Sequence, residues 1–223
     1  MALSGGNPPS DSYTFSSEIV MLSEPNGVRA EAIRALRTHI MAQHVEDGRR
    51  GLAVCAASAG VGATFTAVNL AVSLAQVGAK VLLIDGDLRH GEVGKFIRAP
   101  QAGRGLLQCL ISESADLSES IQPDVIDNLS VMFSGGARDS AQELLASDRF
   151  SVVVDQCLRD YDLTIIDTAP ANTSADARRI STVVGYSLLV AKRHVSFVSD
   201  LRALAGQLRE DRAQIVGTVL SEA

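Results

Sequence analysis

The sequence contains no tryptophan, few other aromatic residues and only three cysteines. Aromatic residues make up 4% of its 223 positions. An odd and small number of cysteines fits neither a disulfide framework nor a zinc cluster. Cys55, Cys109 and Cys157 stand among apolar neighbours, and we interpret them as small core residues of a protein from a reducing cytoplasm.

Long hydrophobic runs and an excess of positive charge are also missing. No apolar run approaches the ~18 residues that span a membrane, and the polar N-terminus lacks the apolar core of a signal peptide. The net charge of −6 weighs against binding to nucleic acid or anionic lipid, which both favour a basic face. With 46% hydrophobic and 21% charged residues, the chain has the composition of one globular domain.

The apolar segments alternate between strand-like and helix-like patterns. Residues 1–20 are rich in Gly, Pro and Ser, which predicts a flexible arm before a folded domain at 21–223. The stretch VRAEAIRALRTHIMAQ has helical period, with Ile33, Leu36 and Ile40 on one stripe. We predict further helices at Thr64–Gln76, Ser140–Ala146, Phe150–Arg159 and Val198–Leu208, and strands at 52–57, in KVLLIDGD, and at Leu129–Phe133, Leu163–Asp167, Ser187–Ala191 and Ile215–Leu220.

This alternation predicts an α/β fold built on a parallel sheet. Continuous apolar runs are typical of strands that are buried on both faces, and the intervening helices would cover those faces. The sequence shows no internal repeat and no second domain. Because ligands bind beyond the carboxyl ends of the strands in such sheets, we expect the functional site at that edge.

The segment SAGVGATF, residues 58–65, joins the first predicted strand of the sheet to a helix. A glycine turn that leads into a helix offers backbone N–H groups and the positive end of the helix dipole to phosphate. Residues 57–64 resemble the phosphate loop G-x-x-x-x-G-K-[ST], with Ala63 at the lysine position. We predict that a nucleotide phosphate contacts Gly60, Val61, Gly62, Ala63, Thr64 and Phe65.

Carboxylates end two other predicted strands. Asp85 and Asp87 end KVLLIDGD, and Asp167 ends LTIID. Thr64 stands where a hydroxyl would hold Mg²⁺, and Asp167 is placed to bind the metal through water. Asp85 and Asp87 suit either metal binding or a base toward a hydroxyl. Each feature alone fits a tight turn or a helix cap, but the three together favour a nucleotide site.

These segments resemble the cytoplasmic domain of bacterial tyrosine kinases (BY-kinases), which belong to capsule and exopolysaccharide export machineries. The resemblance runs from about Glu31 to Leu220. VGATFTAVNLAVSLAQVGAKVLLIDGDLR is similar to the family's first two nucleotide motifs, YDLTIIDTAP to its Walker B segment, and ELLAS to a helical segment. EAIRALR matches the oligomerisation motif E-x-x-R-x-x-R through Glu31, Arg34 and Arg37. Alone, that helix would be interpreted as a solvated face with one Glu–Arg pair.

The resemblance implies a P-loop NTPase-like fold, ATP or ADP with Mg²⁺ as cofactors, and tyrosine phosphorylation. By position, Thr64, Asp87 and Asp167 would serve the metal, and Asp85 would be the catalytic base. The resemblance also implies self-association through the helix of Glu31. It further implies a membrane-spanning polysaccharide chain-length regulator, fused or separate, that holds the domain at the inner face of the cytoplasmic membrane.

Three departures from the family pattern predict a crippled or inactive kinase. Ala63 replaces the lysine, and a charged hydrogen bond is worth ~1.5–3 kcal/mol, so nucleotide binding would weaken roughly ten- to a hundredfold. Phosphoryl transfer would suffer more. RDSAQ replaces the usual proline pair before ELL, and no tyrosine cluster follows the last strand. Two explanations of Ala63 stay open, a natural loss of the lysine or a deliberate exchange of Lys for Ala. Val61, which is also unusual for the family's loop, favours the natural loss.

Two other functions stay open. Partition and division-site ATPases of the ParA/MinD group share the fold and a G-V-G-K-T loop. They carry an additional lysine where this chain has Ser58, and they lack E-x-x-R-x-x-R. A non-catalytic oligomeric scaffold for the chain-length regulator is favoured by Ala63. The retained side chains of Thr64, Asp85, Asp87 and Asp167 instead favour residual nucleotide binding.

Overall fold

A computed structural model describes residues 13–101, 103–112 and 116–222 of the chain. The strands, in chain order, are β1 (Thr14–Phe15), β2 (Gly51–Ala56), β3 (Val81–Asp85), β4 (Ile97–Arg98), β5 (Gln122–Ile126), β6 (Leu129–Met132), β7 (Leu163–Asp167), β8 (Tyr186–Lys192) and β9 (Gln214–Ser221). A 7-stranded sheet has the order β5-β6-β3-β7-β2-β8-β9, and β1 pairs with β4 in a second, 2-stranded sheet.

Helices separate most of the strands. They are α1 (Val20–Ser23), α2 (Val28–Ile40), α3 (Ala63–Ala75), α4 (Val93–Phe96), α5 (Leu106–Ile111), α6 (Ala141–Ala146), α7 (Asp148–Asp160), α8 (Asp176–Val184) and α9 (Val198–Glu210). A π-helical turn at Met41–Val45 continues α2, and a 3₁₀ helix covers Leu117–Glu119.

Successive residues of the central strands face two different helical layers. Val54 in β2 packs in a cluster with residues of α2 and α3. Its neighbour Cys55 packs in a second cluster with residues of α5, α7, α8 and α9. Every residue of β2, β3 and β7 is therefore buried, which is why these strands are continuous apolar runs. The predicted sheet with helices on both faces is confirmed.

Most predicted elements are confirmed, with ends that shift by a few residues. The strand predicted at Leu163–Asp167 is β7, and the helix predicted at Val198–Leu208 is the longer α9. Two of the predicted features take a different form. The end of the first long helix is π-helical rather than α-helical, and β5 pairs antiparallel with β6 at one edge of the otherwise parallel sheet.

The predicted flexible arm over 1–20 is only partly within the structure, because residues 1–12 lie outside the described residues. Thr14 and Phe15 pair with β4. Ile19 and Val20 are fully buried against the core. The apolar side chains of Tyr13, Ile19 and Val20 thus pack with the core, and the domain boundary at residue 21 stays a prediction.

The strand order brings the carboxyl ends of β3, β7 and β2 side by side. Asp85 pairs in register with Asp167, and Asp167 pairs with Val54 of β2. The three segments that carry the predicted site thus meet at one edge of the sheet, as expected for this architecture. In the described part of the chain, every helix is too short or too polar to cross a membrane.

Candidate functional site

The glycine turn forms the floor of the site. It joins the end of β2 to the first residue of α3, Ala63. Gly60 and Gly62 have φ angles of +75° and +91°, a region that residues with a Cβ rarely adopt. Because the first N–H groups of a helix have no partner within it, the start of α3 is suited to bind an anion. Ala63 adds a methyl group and no charge.

Thr64 and Asp167 connect the first turn of α3 to the end of β7. The hydroxyl of Thr64 donates a hydrogen bond of 2.7 Å to Oδ2 of Asp167. The other oxygen, Oδ1, is buried and has no partner among the described residues. Burial raises the pKa of Asp167 well above its usual range, and the nearby Asp85 raises it further. A carboxylate in this position is uncompensated, and a cation would stabilise it.

Asp85 is the second buried carboxylate at this edge. Its Oδ1 accepts a hydrogen bond from the backbone N–H of Asp87 at 3.3 Å, and its Oδ2 accepts one from Val93 at 3.0 Å. Burial nevertheless raises the pKa of Asp85 to about 7. The group can therefore gain or lose a proton near neutral pH, which is the requirement for a general base.

Asp87 organises the turn that follows β3. Its Oδ1 accepts backbone hydrogen bonds from Arg89 at 2.9 Å and His90 at 3.1 Å, and its Oδ2 lies 3.3 Å from Nδ1 of His90. Arg89 pairs with the buried Asp176 at the start of α8, with 3.2 Å between Nε and Oδ2. The hydrogen bonds to Asp87 and the ion pair between Arg89 and Asp176 together fix the turn, and with it the position of Asp87.

A cavity of about 750 Å³ lies over the glycine turn. All of the residues predicted to contact phosphate, 60–65, line it, and so does Asp87. Asp85 and Asp167 do not line it, although Asp167 is bonded to Thr64, which does. A cavity of this size matches a nucleotide-sized ligand.

Several charged residues of the cavity were missed by the sequence analysis. They come from separate parts of the chain and are Glu18, Arg29, His90, Glu92, Lys192 and Glu222. His90 and Glu92 closely follow the I-D-x-D-x-R motif, and their nearness to it is a signal that would have found them. The other four belong to no motif, and only the folded chain brings them to the glycine turn.

The residues fit a magnesium ion that is bound together with a nucleotide. In the ranges that the structure describes, no group of three or more His, Cys, Asp or Glu side chains is arranged to hold a metal. Mg²⁺ in nucleotide sites takes only one or two protein oxygens, and phosphates and water supply the rest. The Thr64 hydroxyl and the unpartnered Oδ1 of Asp167 provide suitable oxygens.

The E-x-x-R-x-x-R residues lie on α2. Nη1 of Arg34 is 2.8 Å from Oε2 of Glu31, and Nη2 of Arg34 donates to the carbonyl of Pro25. Nη1 of Arg37 donates to Ser73 on α3, to the carbonyl at 3.3 Å and to the hydroxyl at 3.2 Å. Arg37 therefore attaches α2 to the helix that begins at the glycine turn.

Comparison with known proteins agrees with this arrangement. A family model described as an AAA domain matches residues 50–191. The tyrosine-protein kinase YwqD of Bacillus subtilis is 33% identical over 203 residues, which cover 91% of this chain and 85% of that protein. CpsD of Streptococcus pneumoniae, also a tyrosine-protein kinase, is 32% identical over 192 residues, which cover 86% and 83%. The tyrosine-protein kinase wzc of Salmonella typhi is 27% identical over 205 residues, but the match spans only 28% of its length.

Solved structures show the same relationship. The kinase domain of Escherichia coli tyrosine kinase ETK superposes with a TM-score of 0.84 at 30% identity and covers 92% of this chain and 80% of that chain. The cell division ATPase MinD of Pyrococcus furiosus has a TM-score of 0.63 at 26% identity, with 77% and 71% covered. The matches to YwqD, CpsD and ETK are at least 30% identical and cover most of both chains. Together with the glycine turn, the paired strand-end carboxylates and the α2 motif, they show that the chain belongs to the BY-kinase family.

Proposed function

We propose that the chain is a BY-kinase-like domain that acts in capsule or exopolysaccharide biosynthesis and export, and that it binds ATP or ADP with Mg²⁺ in the cavity over the glycine turn. Binding is weak, because Ala63 stands at the lysine position. Tyrosine phosphorylation is crippled or absent for the same reason, since the phosphoryl group in transfer carries more exposed charge than the bound nucleotide.

The contact between Thr64 and Asp167 carries this proposal. A hydroxyl in the first turn of α3 donates to a buried carboxylate whose second oxygen is unpartnered. A helix cap does not require this arrangement, because Asp167 caps no helix and ends a fully buried strand. An isolated buried carboxylate destabilises a protein, and a bound cation would offset that cost. The same turn presents unpartnered N–H groups for the phosphates.

The remaining roles follow from the same geometry. When bound, Mg²⁺ would neutralise phosphate charge and polarise the phosphoryl group. Thr64, Asp87 and Asp167 would hold it. Asp85, with a pKa of about 7, would accept the proton of a tyrosine hydroxyl. Because Asp85 does not line the cavity, it would do so through a bridging water.

Assembly forms the second part of the proposed function. The family resemblance assigns self-association to Glu31, Arg34 and Arg37, and Glu31 and Arg34 are on the surface of α2. It also assigns a membrane-spanning chain-length regulator as the partner, which would hold this domain at the inner face of the cytoplasmic membrane. The net charge of −6 is consistent with a protein partner rather than direct binding to anionic lipid.

Equilibrium binding of labelled ATP and ADP, with and without Mg²⁺, tests the nucleotide part of this proposal. We expect measurable binding that strengthens when Mg²⁺ is added, because the metal supplies positive charge that the loop lacks. An affinity that is the same with and without Mg²⁺ would contradict the metal assignment. An absence of binding under both conditions would leave the second candidate function.

That second candidate is a non-catalytic oligomeric scaffold, and Ala63 is the observation that favours it. In a scaffold, the glycine turn and the strand-end carboxylates would be remnants without a ligand. Self-association without nucleotide binding would support this function. A ParA/MinD-type ATPase is less well supported, since MinD matches less of the chain than ETK does and Ser58 replaces the additional lysine of that group.

A further inference from the structure

The cavity over the glycine turn has an unusual balance of charge. Its acidic residues include Glu18, Asp87 and Glu92, and the carboxylates of Asp85 and Asp167 lie next to it. A nucleotide would bring further negative charge to this place. Ala63 offers nothing to offset that charge, and one Mg²⁺ would offset only part of it. A nucleotide site with these residues therefore needs another cation.

Arg29 lies where such a cation is needed. It belongs to the first turn of α2, and its guanidinium carbon is 5.8 Å from the centre of the Phe65 ring. Phe65 directly follows Thr64 in the first turn of α3. Both Arg29 and Phe65 line the cavity. The guanidinium group therefore lies beside a residue from the first turn of α3, on the wall of the same cavity.

The ring of Phe65 is the one contact that the described residues provide for the guanidinium group of Arg29. Within the described residues, its side chain forms no hydrogen bond and no ion pair, although Glu18 lines the same cavity. A cation beside the positive end of a helix is unfavourable unless an anion lies between them. A phosphate group at the start of α3 would accept hydrogen bonds from both the helix and the guanidinium group.

A second cation, Lys192, also lines the cavity but is less suitably placed. It ends β8, which lies on the opposite side of β2 from β7 and Asp167. Phosphates that share a metal with Thr64 and Asp167 would lie on the β7 side. Arg29 also carries a planar fork of N–H donors, which binds phosphate oxygens in pairs better than an ammonium group does.

We infer that Arg29 binds a phosphate group of the nucleotide and supplies, from the helix before the glycine turn, the positive charge that Ala63 lacks. This inference rests on the proposed function, because it requires a nucleotide at Gly60–Thr64. It assigns to α2 a role in the nucleotide site in addition to its E-x-x-R-x-x-R motif.

A set of four proteins tests the inference: the parent chain, Arg29→Gln, Ala63→Lys and the double variant. The dissociation constants of MgATP and adenosine are measured for each. We expect Arg29→Gln to weaken MgATP binding about tenfold in the parent and to leave adenosine binding unchanged. In the Ala63→Lys background the same exchange has a smaller effect, because the restored lysine supplies the missing charge.

Two further variants serve as controls. Arg209→Gln makes the same change of charge at an exposed position in the last turn of α9, at the far end from the carboxyl ends of the strands, and leaves MgATP binding unchanged. Arg29→Lys keeps the positive charge, and we expect it to bind MgATP more tightly than Arg29→Gln and less tightly than the parent. Because Arg29 is exposed and makes no polar contact within the described residues, its exchange is not expected to affect folding, and thermal unfolding verifies this.

The outcomes separate this inference from the proposed function. If the parent does not bind nucleotide, the proposed function fails and the inference fails with it. If the parent binds MgATP and Arg29→Gln binds equally well, only the inference is overturned. An equal loss of MgATP and adenosine binding would also overturn it, because Arg29 would then shape the cavity wall. An equal loss with and without Lys at position 63 would show that Arg29 does not replace the lysine.

Discussion

The hydroxyl of Thr64 and the carboxylate of Asp167 are joined by a hydrogen bond of 2.7 Å, although 103 positions separate them in the sequence. The bond joins the first turn of α3 to the end of β7. It leaves Oδ1 of Asp167 buried and without a partner among the described residues. An arrangement that is costly for the protein alone becomes favourable when a cation binds beside it, so this pair is the most direct target for testing the site.

Exchanges at these two residues should remove the magnesium dependence of nucleotide binding. In the parent, we expect Mg²⁺ to strengthen ATP binding. Thr64→Val and Asp167→Ala should each abolish most of that gain, because each removes an oxygen that would serve the metal. Thr64→Ser keeps the hydroxyl and should behave like the parent. Titration with labelled ATP at fixed Mg²⁺ measures the effect. An unchanged affinity in Asp167→Ala would mean that Asp167 is a residue of the core edge.

Gly86, between Asp85 and Asp87, should not tolerate a side chain. A Cβ at this position would lie 2.6 Å from the carbonyl oxygen of Asp167 and 2.8 Å from Cγ2 of Ile166. Gly86→Ala must therefore push β3 and β7 apart at the site, and we expect a loss of about 1–3 kcal/mol in the free energy of unfolding. Gly94→Ala is the matched control, because a Cβ there has no neighbour within 4 Å. Equal stability of the two variants in urea would contradict the close packing of the strand ends.

The raised pKa of Asp85 predicts how stability varies with pH. Burial raises the pKa of Asp85 to about 7 in the folded chain, against an ordinary aspartate pKa of about 3.9. Between these values the folded state holds a proton that the unfolded state has released. Stability should therefore be greatest, as far as Asp85 contributes, below about pH 4 and should fall as the pH rises to about 7. Urea unfolding without Mg²⁺ should show this fall.

The variant Asp85→Asn isolates the contribution of this residue. The amide does not titrate, so the decrease in stability between about pH 5 and about pH 8 should be smaller than in the parent. The comparison uses the slope with pH rather than the stability at one pH, because the amide also disturbs the hydrogen bonds from Asp87 and Val93. Parallel curves for parent and variant would show that another group causes the pH dependence.

Much of the site could be predicted because its strands are buried on both faces. Burial made β2, β3 and β7 continuous apolar runs, and a carboxylate at the end of such a run is conspicuous in a sequence. The glycine turn was conspicuous for a similar reason, because Gly60 and Gly62 adopt positive φ angles. Parallel pairing then brought Asp85 and Asp167 into register, as the fold class implied.

Features that depend on packing between distant segments could not be predicted. Arg29 reaches Phe65 because α2 packs on α3, and no local pattern encodes that contact. The pairing of β1 with β4 joins two residues from each strand, which is too short to produce a period. The arm predicted over residues 1–20 rests on the Gly, Pro and Ser content of that stretch, and composition alone does not reveal that Ile19 and Val20 pack against the core.

A lysine at position 63 should strengthen ATP binding and could make tyrosine phosphorylation measurable. The exchange Ala63→Lys adds a charged donor in the loop, and we expect ATP to bind roughly ten- to a hundredfold more tightly. If the rest of the site is intact, phosphorylation of a tyrosine peptide added in trans should also become measurable. Incorporation of labelled phosphate measures it, and Ala63→Met controls for the added length. Tighter binding without phosphorylation would favour a scaffold whose remaining catalytic parts have also drifted.

Self-association should depend on Arg34 and Arg37 for different reasons. Arg34 pairs with Glu31 and donates to the carbonyl of Pro25, both at the exposed surface. Its exchange to Ala should weaken contact between chains and should change thermal stability little, because exposed contacts of this kind contribute little. Arg37 donates to Ser73 on α3 within the same chain, so Arg37→Ala should also lower the melting temperature. Exposed ion pairs contribute less than about 1 kcal/mol each, and salt screens them over ~8–10 Å.

From these magnitudes we expect the isolated domain to be monomeric when dilute and to associate only at high concentration or when a membrane partner concentrates it. Sedimentation of the parent and the Arg34→Ala/Arg37→Ala variant, over rising concentration in low salt, measures the effect. The parent should form larger species at concentrations where the double variant does not, and Arg202→Ala on α9 should behave like the parent. If the parent associates and the double variant associates equally, α2 is not the interface, and another surface of the domain must carry the assembly.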